Sequence, residues 1–170
     1  MSRWGALTAK VDGFFDRVAA RHGDDMQCAT GCSDCCHVRL TITAVEATAI
    51  EREVAGWRET DREALAANVA GAPADRCVAL DANGRCMIYR ARPIVCRSHG
   101  VPIRMRKDSL PVIETCFRNF THTTPDASCV LDQEMLSALV MAVNQAEGAG
   151  VERVELAEVL VEVTRPSRGA

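Results

Sequence analysis

The stretch CATGCSDCCH, residues 28–37, sets four cysteines in nine positions and closes on an adjacent pair followed by His37. Disulfides and metal ligands at these positions would give different folds. As disulfides these residues would staple a small secreted scaffold, whereas as a metal or redox site they would organise a reduced core. In a helix each residue turns about 100°, so Cys28, Cys32, Cys35 and Cys36 would share one face spanning about 100° of arc. In a strand, Cys35 and Cys36 would point to opposite sides. Thr30, Gly31, Ser33 and Asp34 are turn and cap residues, so a loop or single turn is expected. Adjacent cysteines then serve two ions, or one ion and one supporting role.

Working outward, the opening MSRWGALTAKVDGFFDRVAA carries Lys10, Asp12, Asp16 and Arg17, which break any apolar run of signal-peptide length. No stretch approaches the roughly 18 apolar residues of a membrane span. A cytoplasmic chain with no membrane partner is expected, and there thiols stay reduced. The chain holds nine cysteines, and an odd count would leave one thiol over, so metal or redox chemistry is favoured over structural disulfides.

The 170 residues are 48% hydrophobic but only 4% aromatic, so the core must be aliphatic. One domain over residues 1–170 is expected, mainly α with one or two small β-hairpins and stabilised by metal. Its cysteine core runs from about 28 to 129, with helices before and after. The net charge of −3 exerts no pull on nucleic acid.

Leu7, Val11, Phe14, Phe15 and Val18 recur at helical spacing over residues 6–22, and Gly23 ends the pattern. A second helix begins in TITAVEATAIEREVAGW, where Thr43 and Glu46 have capping-box spacing. Thr60 and Glu63 repeat that signal for a third. CVALDANGRCMIY reads as a hairpin about Asn83-Gly84, and a turn of two or four residues puts Cys77 and Cys86 on the same face. Pro93 stands at a first-turn position with Cys96 one turn later. A second hairpin turns at Asp108-Ser109 and leads to Cys116. Two helices follow, one capped by Asp132 and ended by Gly148, the other in VERVELAEVLVEV, before a disordered TRPSRGA tail.

The pattern C-x3-C-x2-C-C at 28–36, LTITAVEATAI after it, Cys77, GRCMIYRARPIVCR at 84–97 and Cys116 together resemble the YkgJ-type cysteine-cluster family, a zinc- or iron-chelating domain. The resemblance covers about residues 28–116, and its most specific element runs from Cys86 to Arg97. It implies metal binding by Cys28, Cys32, Cys35, Cys36, Cys77, Cys86, Cys96 and Cys116. Eight thiolates fill two four-coordinate sites, or one site plus a cluster, with zinc, iron or an iron–sulfur cluster as cofactor. Some relatives, the flagellin lysine methylases, carry such a cluster inside a larger enzyme. This chain has no glycine-rich nucleotide-binding fingerprint, so that activity is not carried over.

Cys129 lies outside the pattern and is either a ninth ligand or an ordinary buried thiol, the second being favoured. A zinc ion with four thiolates has a net charge of about −2 and needs cations or donors nearby. Arg85 to Lys107 contains seven Lys or Arg and no acid, and Arg92 and Arg97 are the candidates for neutralising the sulfurs. Tyr89 is the one aromatic in that basic run, so no nucleic-acid partner is expected. His37 and His99 are alternative imidazole ligands, His22 and His122 read as surface, and Tyr89 and Trp57 as packing residues. Three functions stay open: a metal-organised binding protein, an iron–sulfur-dependent oxidoreductase, and a metal-delivery or thiol-sensing module.

Overall fold

A computed structural model describes residues 2–165. In chain order its elements are α1 (Arg3–Arg21), β1 (Thr41–Thr43), α2 (Ala44–Ala55), α3 (Glu59–Gly71), α4 (Ile94–Ser98), β2 (Ile103–Lys107), β3 (Leu110–Glu114), β4 (Leu131–Asp132), α5 (Gln133–Ala146), β5 (Arg153–Glu155) and α6 (Leu156–Val163). The protein is mainly α with small β elements. Residues 166–170 of the TRPSRGA tail lie outside the described residues. Among the described residues no helix is long and apolar enough to cross a membrane.

The chain divides into two compact units, each assembled from two separate segments. The first comprises Met1–Ala29 and Ile94–Gly148. Here α1 begins three residues earlier than its apolar spacing suggests, because the Ser2 hydroxyl accepts the Gly5 N–H at 3.0 Å and caps the first turn. Leu7 and Val11 pack with Ile94 of α4 and with Leu136 and Val140 of α5. Val18, two turns further along α1, packs with Val101, Phe120 and Cys129. Removing each such aliphatic side chain from water stabilises the fold by about 1.5–3 kcal/mol. Asp132 caps α5 through a bond from the Met135 N–H at 2.9 Å, and Gly148 at φ 79° follows the helix end, both as expected.

The hairpin at Asp108-Ser109 forms as expected, with Lys107 paired to Leu110 and Ile103 to Glu114. Both turn residues adopt positive φ, 50° and 67°, the two-residue geometry that matches strand twist. Beside β2, β4 adds a parallel pairing of Ile103 with Leu131 and Arg104 with Asp132. Two residues carry no readable alternation, so that strand was not foreseen.

The second unit comprises Thr30–Pro93 and Ala149–Ala170. The capping box of α2 is present: the buried Glu46 carboxylate accepts the Thr43 N–H at 2.8 Å and its hydroxyl at 2.9 Å. By contrast, α3 starts at Glu59, not at a Thr60 cap. Arg58 precedes it and holds Asp61 of the first turn at 2.8 Å, so the turn is anchored by an ion pair. Residues 41–43 and 153–155 were assigned to the starts of helices. They instead form a two-stranded antiparallel sheet, Thr41 to Glu155 through Thr43 to Arg153. Three-residue strands separated by more than a hundred positions leave no periodic trace.

Ile42, Ile50, Val54, Leu65, Ile88 and Leu160 form the core of this unit. Trp57 packs against it and its indole donates to Glu53 at 3.4 Å. Tyr89 does not pack as expected. It is 61% exposed, and the Arg92 guanidinium lies 4.0 Å from its ring centroid, a cation–π contact that needs no burial.

Candidate metal centre

Among the described residues no disulfide joins any of the nine cysteines. The cysteine stretch is the loop with a single turn that its composition demanded: Asp34–Cys36 form one turn of 3₁₀-helix, closed by Cys36 N–H to Ser33 O at 2.8 Å. Gly31 supplies a φ of 91° that lets the chain reverse before it.

In the second unit this loop meets the segment that was expected to be a hairpin. Two full strands do not form there. A single bridge joins Leu80 and Cys86, and the turn spans Asp81 to Arg85, with the Asp81 carboxylate accepting the Asn83 and Arg85 N–H groups, each at 2.8 Å. A five-residue turn shifts the register by one from either expected alternative. In addition, the Leu80 N–H bonds to Cys77 O at 3.1 Å and bends the chain just after Cys77. Strand alternation therefore does not position Cys77. Its N–H donates instead to Cys36 O at 2.6 Å, which ties it to the loop. Asn68, unnoticed in the sequence, holds the bend by donating to Val78 O at 2.8 Å and Leu80 O at 3.1 Å.

The outcome is a cluster of sulfur. Cys77 is buried in the core, and Cys36 and Cys86 pack against the same side chains. The Cys36 thiol is pushed far above its ordinary value, first by its hydrogen bond with Cys35, then by burial and by the neighbouring Cys35, Cys77 and Cys86. Burial drives the Cys86 thiol up to about 11, opposed by the Ile88 N–H and by the Arg92 charge. Burial also raises Cys77, with the Ala79 N–H and the Arg39 charge pulling the other way. Arg92 thus has the neutralising position expected of it. Arg39 shares that role and was missed. Four thiols so placed cannot ionise together unless a cation replaces their protons. Cys32, on the same loop, is exposed.

Gly84 connects the turn to the loop. At φ 72° it belongs to the left-handed region, and a Cβ there would stand 3.2 Å from Gly31 O. His37 is exposed beside the double cysteine.

In the first unit, Cys28 lies against Gly100, where a Cβ would come within 2.5 Å of its Sγ. Asn119, 1% exposed, donates through Nδ2 to Cys28 Sγ at 3.3 Å and to Gly100 O at 2.7 Å. Its Oδ1 accepts the Gln27 N–H at 2.8 Å, and its own N–H reaches Cys116 O at 2.8 Å. Asn119 therefore ties the backbone of Cys116 to Gln27, the residue before Cys28, and gives the Cys28 sulfur a donor. Cys96 is half-buried on α4. Arg97 follows it and is buried, with its guanidinium 2.6 Å from Asp12 of α1. His99 is exposed.

The same unit brings together a trio that the sequence did not suggest. Ligand atoms of His22, Asp126 and Cys129 all lie within 4.8 Å of one another. His22 is half-buried, not the surface residue expected, because Phe120 packs edge-on against its ring at 5.1 Å. The i, i+3 spacing of Asp126 and Cys129 is the only trace in the sequence, and a separation of about a hundred residues hides the histidine.

The donor chemistry fits a zinc- or iron-chelating protein: thiolate-rich sets select zinc and iron–sulfur centres over hard cations. Comparison with curated proteins and with solved structures finds no match. A family model does match, over residues 27–129, more than half of the chain and including all nine cysteines. The chain therefore belongs to the YkgJ-type family of the CxxCxxCC pattern, described as a "Putative zinc- or iron-chelating domain".

Proposed function

We propose that this protein binds zinc or iron through thiolates, with Cys32, Cys35, Cys36, Cys77 and Cys86 serving in one unit and Cys28, Cys96 and Cys116 in the other. The observation that carries this reading is the gathering of Cys36, Cys77 and Cys86 about Cys35, in which burial and the neighbouring thiols hold the protons of Cys36, Cys77 and Cys86 on in the absence of a cation. A bound ion supplies the positive charge that lets these sulfurs ionise and links three chain segments. The residues around it orient and partly neutralise the set: Arg39 and Arg92 by charge, Asn68 by holding the bend after Cys77, Asn119 by donating to Cys28. Elemental analysis of anaerobically prepared protein, combined with its absorption spectrum, tests the proposal. Stoichiometric zinc in colourless protein, or iron with visible absorbance, supports it and selects the metal. Protein that retains neither metal, and takes up neither when reduced, rejects it.

A delivery role is favoured by one further observation: Cys32 and Cys35 are exposed at the loop surface. Such thiolates are open to a competing acceptor. Replacing Cys32 with Ser is then expected to slow metal transfer to an added chelator while leaving the thermal unfolding curve of the loaded protein in place. Equal transfer rates would remove this reading.

A further inference from the structure

We propose that His22, Asp126 and Cys129 form a mononuclear site for a zinc-class divalent ion at the C-terminal end of α1, with one coordination position left for water or an exogenous ligand. His22 lies before the matched family segment 27–129, so the site extends beyond the thiolate set.

Three kinds of donor converge there. A tetrahedral ion with nitrogen, oxygen and sulfur ligands holds them about 3.5 Å apart, and the three ligand atoms already stand within 4.8 Å of one another. His22 Nε2 lies 3.4 Å from the Asp126 carboxylate, but out of line for a hydrogen bond, and it is a buried atom without a hydrogen-bond partner. A buried nitrogen lone pair or N–H left in that condition destabilises the chain. An ion removes that cost by taking the lone pair.

The surroundings are those of a metal-bound imidazole. The opposite ring nitrogen, Nδ1, lies 3.4 Å from the Asp25 carboxylate. A carboxylate on Nδ1–H selects the tautomer whose Nε2 is free to ligate and raises its basicity. Asp25 is in turn fixed by its backbone, since Asp25 O accepts the Phe120 N–H at 2.9 Å, and the Phe120 ring packs on the imidazole. Arg21 pairs with Asp126 and orients that carboxylate.

Local backbone explains the other two ligands. Ala127–Cys129 form a single 3₁₀ turn in which the Cys129 N–H bonds to Asp126 O at 2.8 Å. Residues i and i+3 eclipse in that geometry, so Asp126 and Cys129 project to the same side. His22 caps the C-terminus of the 19-residue α1, with its N–H on Val18 O. The negative end of that helix dipole favours a cation. A divalent ion with one thiolate, one carboxylate and a neutral imidazole leaves the site uncharged, which suits the burial of Cys129 at 4% exposure. The donor mixture matches zinc, and three protein ligands leave the fourth position open.

The test uses the full chain, reduced and labelled with ¹⁵N-histidine, titrated with Zn²⁺ alone. The His22 ring, assigned by loss of its signal in His22→Gln, is expected to become the Nδ1–H tautomer with a metal-shifted Nε2. Cys129→Ser is expected to lose one zinc per chain by elemental analysis and to abolish that shift, and Asp25→Asn to weaken zinc binding about tenfold to a hundredfold. Asp126→Asn, which keeps side-chain size at a half-exposed position, serves the same purpose if Cys129→Ser fails to fold. A His22 ring unchanged by zinc in the wild-type chain, or undiminished zinc content in these variants, overturns the site. Variants of Cys35 and Cys36 distinguish the two proposals. If they lose metal while the His22 shift persists, this site stands apart from the thiolate set.

Discussion

In the unit built from Thr30–Pro93 and Ala149–Ala170, sulfur stands beside sulfur: Cys36, Cys77 and Cys86 share a hydrophobic wall, and with Cys35 beside them their proton affinity is raised. In the unit built from Met1–Ala29 and Ile94–Gly148, sulfur stands beside other donors, Asn119 for Cys28 and His22 with Asp126 for Cys129. The contrast shows two ways of making a thiol ready for a cation. Crowding keeps the thiols protonated, and in the proposed site an ion that replaces those protons would contribute to folding. Amide and carboxylate partners instead position single sulfurs in advance.

Metal removal is expected to have the largest effect, and an unequal one in the two units. Structural thiolate sites stabilise on the order of 10 kcal/mol, so chelation is expected to lower protection from hydrogen exchange around Cys36, Cys77 and Cys86 far more than in α1 and α5. Equal loss in both units would show that crowding has no special consequence.

Two glycines sharpen the comparison at smaller scale. Gly100→Ala places a Cβ within 2.5 Å of Cys28 Sγ at φ 102°, whereas Gly84→Ala meets Gly31 O at 3.2 Å at φ 72°. The first is expected to destabilise by roughly 3 kcal/mol and the second by roughly 1–2 kcal/mol in urea unfolding. Reversal of that order would mean that the Cys28 pocket yields more easily than the Gly31 turn.

Thr43→Ala opens the capping box at the head of α2 and is expected to cost about 1 kcal/mol, read as a shift in urea midpoint with no change in metal content. A loss of metal in this variant would tie the thiol cluster to α2 more closely than the packing implies.

The smallest effect belongs to Asp132. Its carboxyl is held below the ordinary 3.8, first by the Met135 N–H and then by Arg104. As pH falls, the unfolded chain takes up this proton first, so the contribution is complete above the ordinary value and disappears as pH drops through the depressed one. Asp132→Asn is expected to flatten the acid limb of the stability curve below about pH 4. An unchanged acid limb would place the acid sensitivity elsewhere.

Much of the architecture was legible because it depends on local chemistry. The apolar spacing of α1 and α5, the Thr43–Glu46 box, the Asp132 cap and the Asp108-Ser109 turn all concern contacts a few residues apart, and each formed as read. The hairpin about Asn83-Gly84 was half right. The turn is there, but Asp81 accepts two N–H groups and enlarges it, which no alternation rule anticipates. The β1–β5 and β2–β4 pairings escaped because strands of two or three residues have no period. Tyr89 was misplaced because an arginine stack offers an aromatic ring an alternative to burial.

At the candidate sites, the cysteine pattern pointed to metal and its resemblance to the YkgJ-type family to zinc or iron, since so dense a set of cysteines suits metal binding better than simple packing. Which sulfurs meet, and with what partners, was decided by tertiary structure alone. Cys77 reaches the loop through a backbone bond to Cys36, Asn119 reaches Cys28 across 91 residues, and His22 reaches Asp126 and Cys129 over a still longer span. Ligand identity is a property of side-chain chemistry and is written locally. Ligand geometry depends on the closure of long loops around a packed core, and no spacing along the chain encodes it.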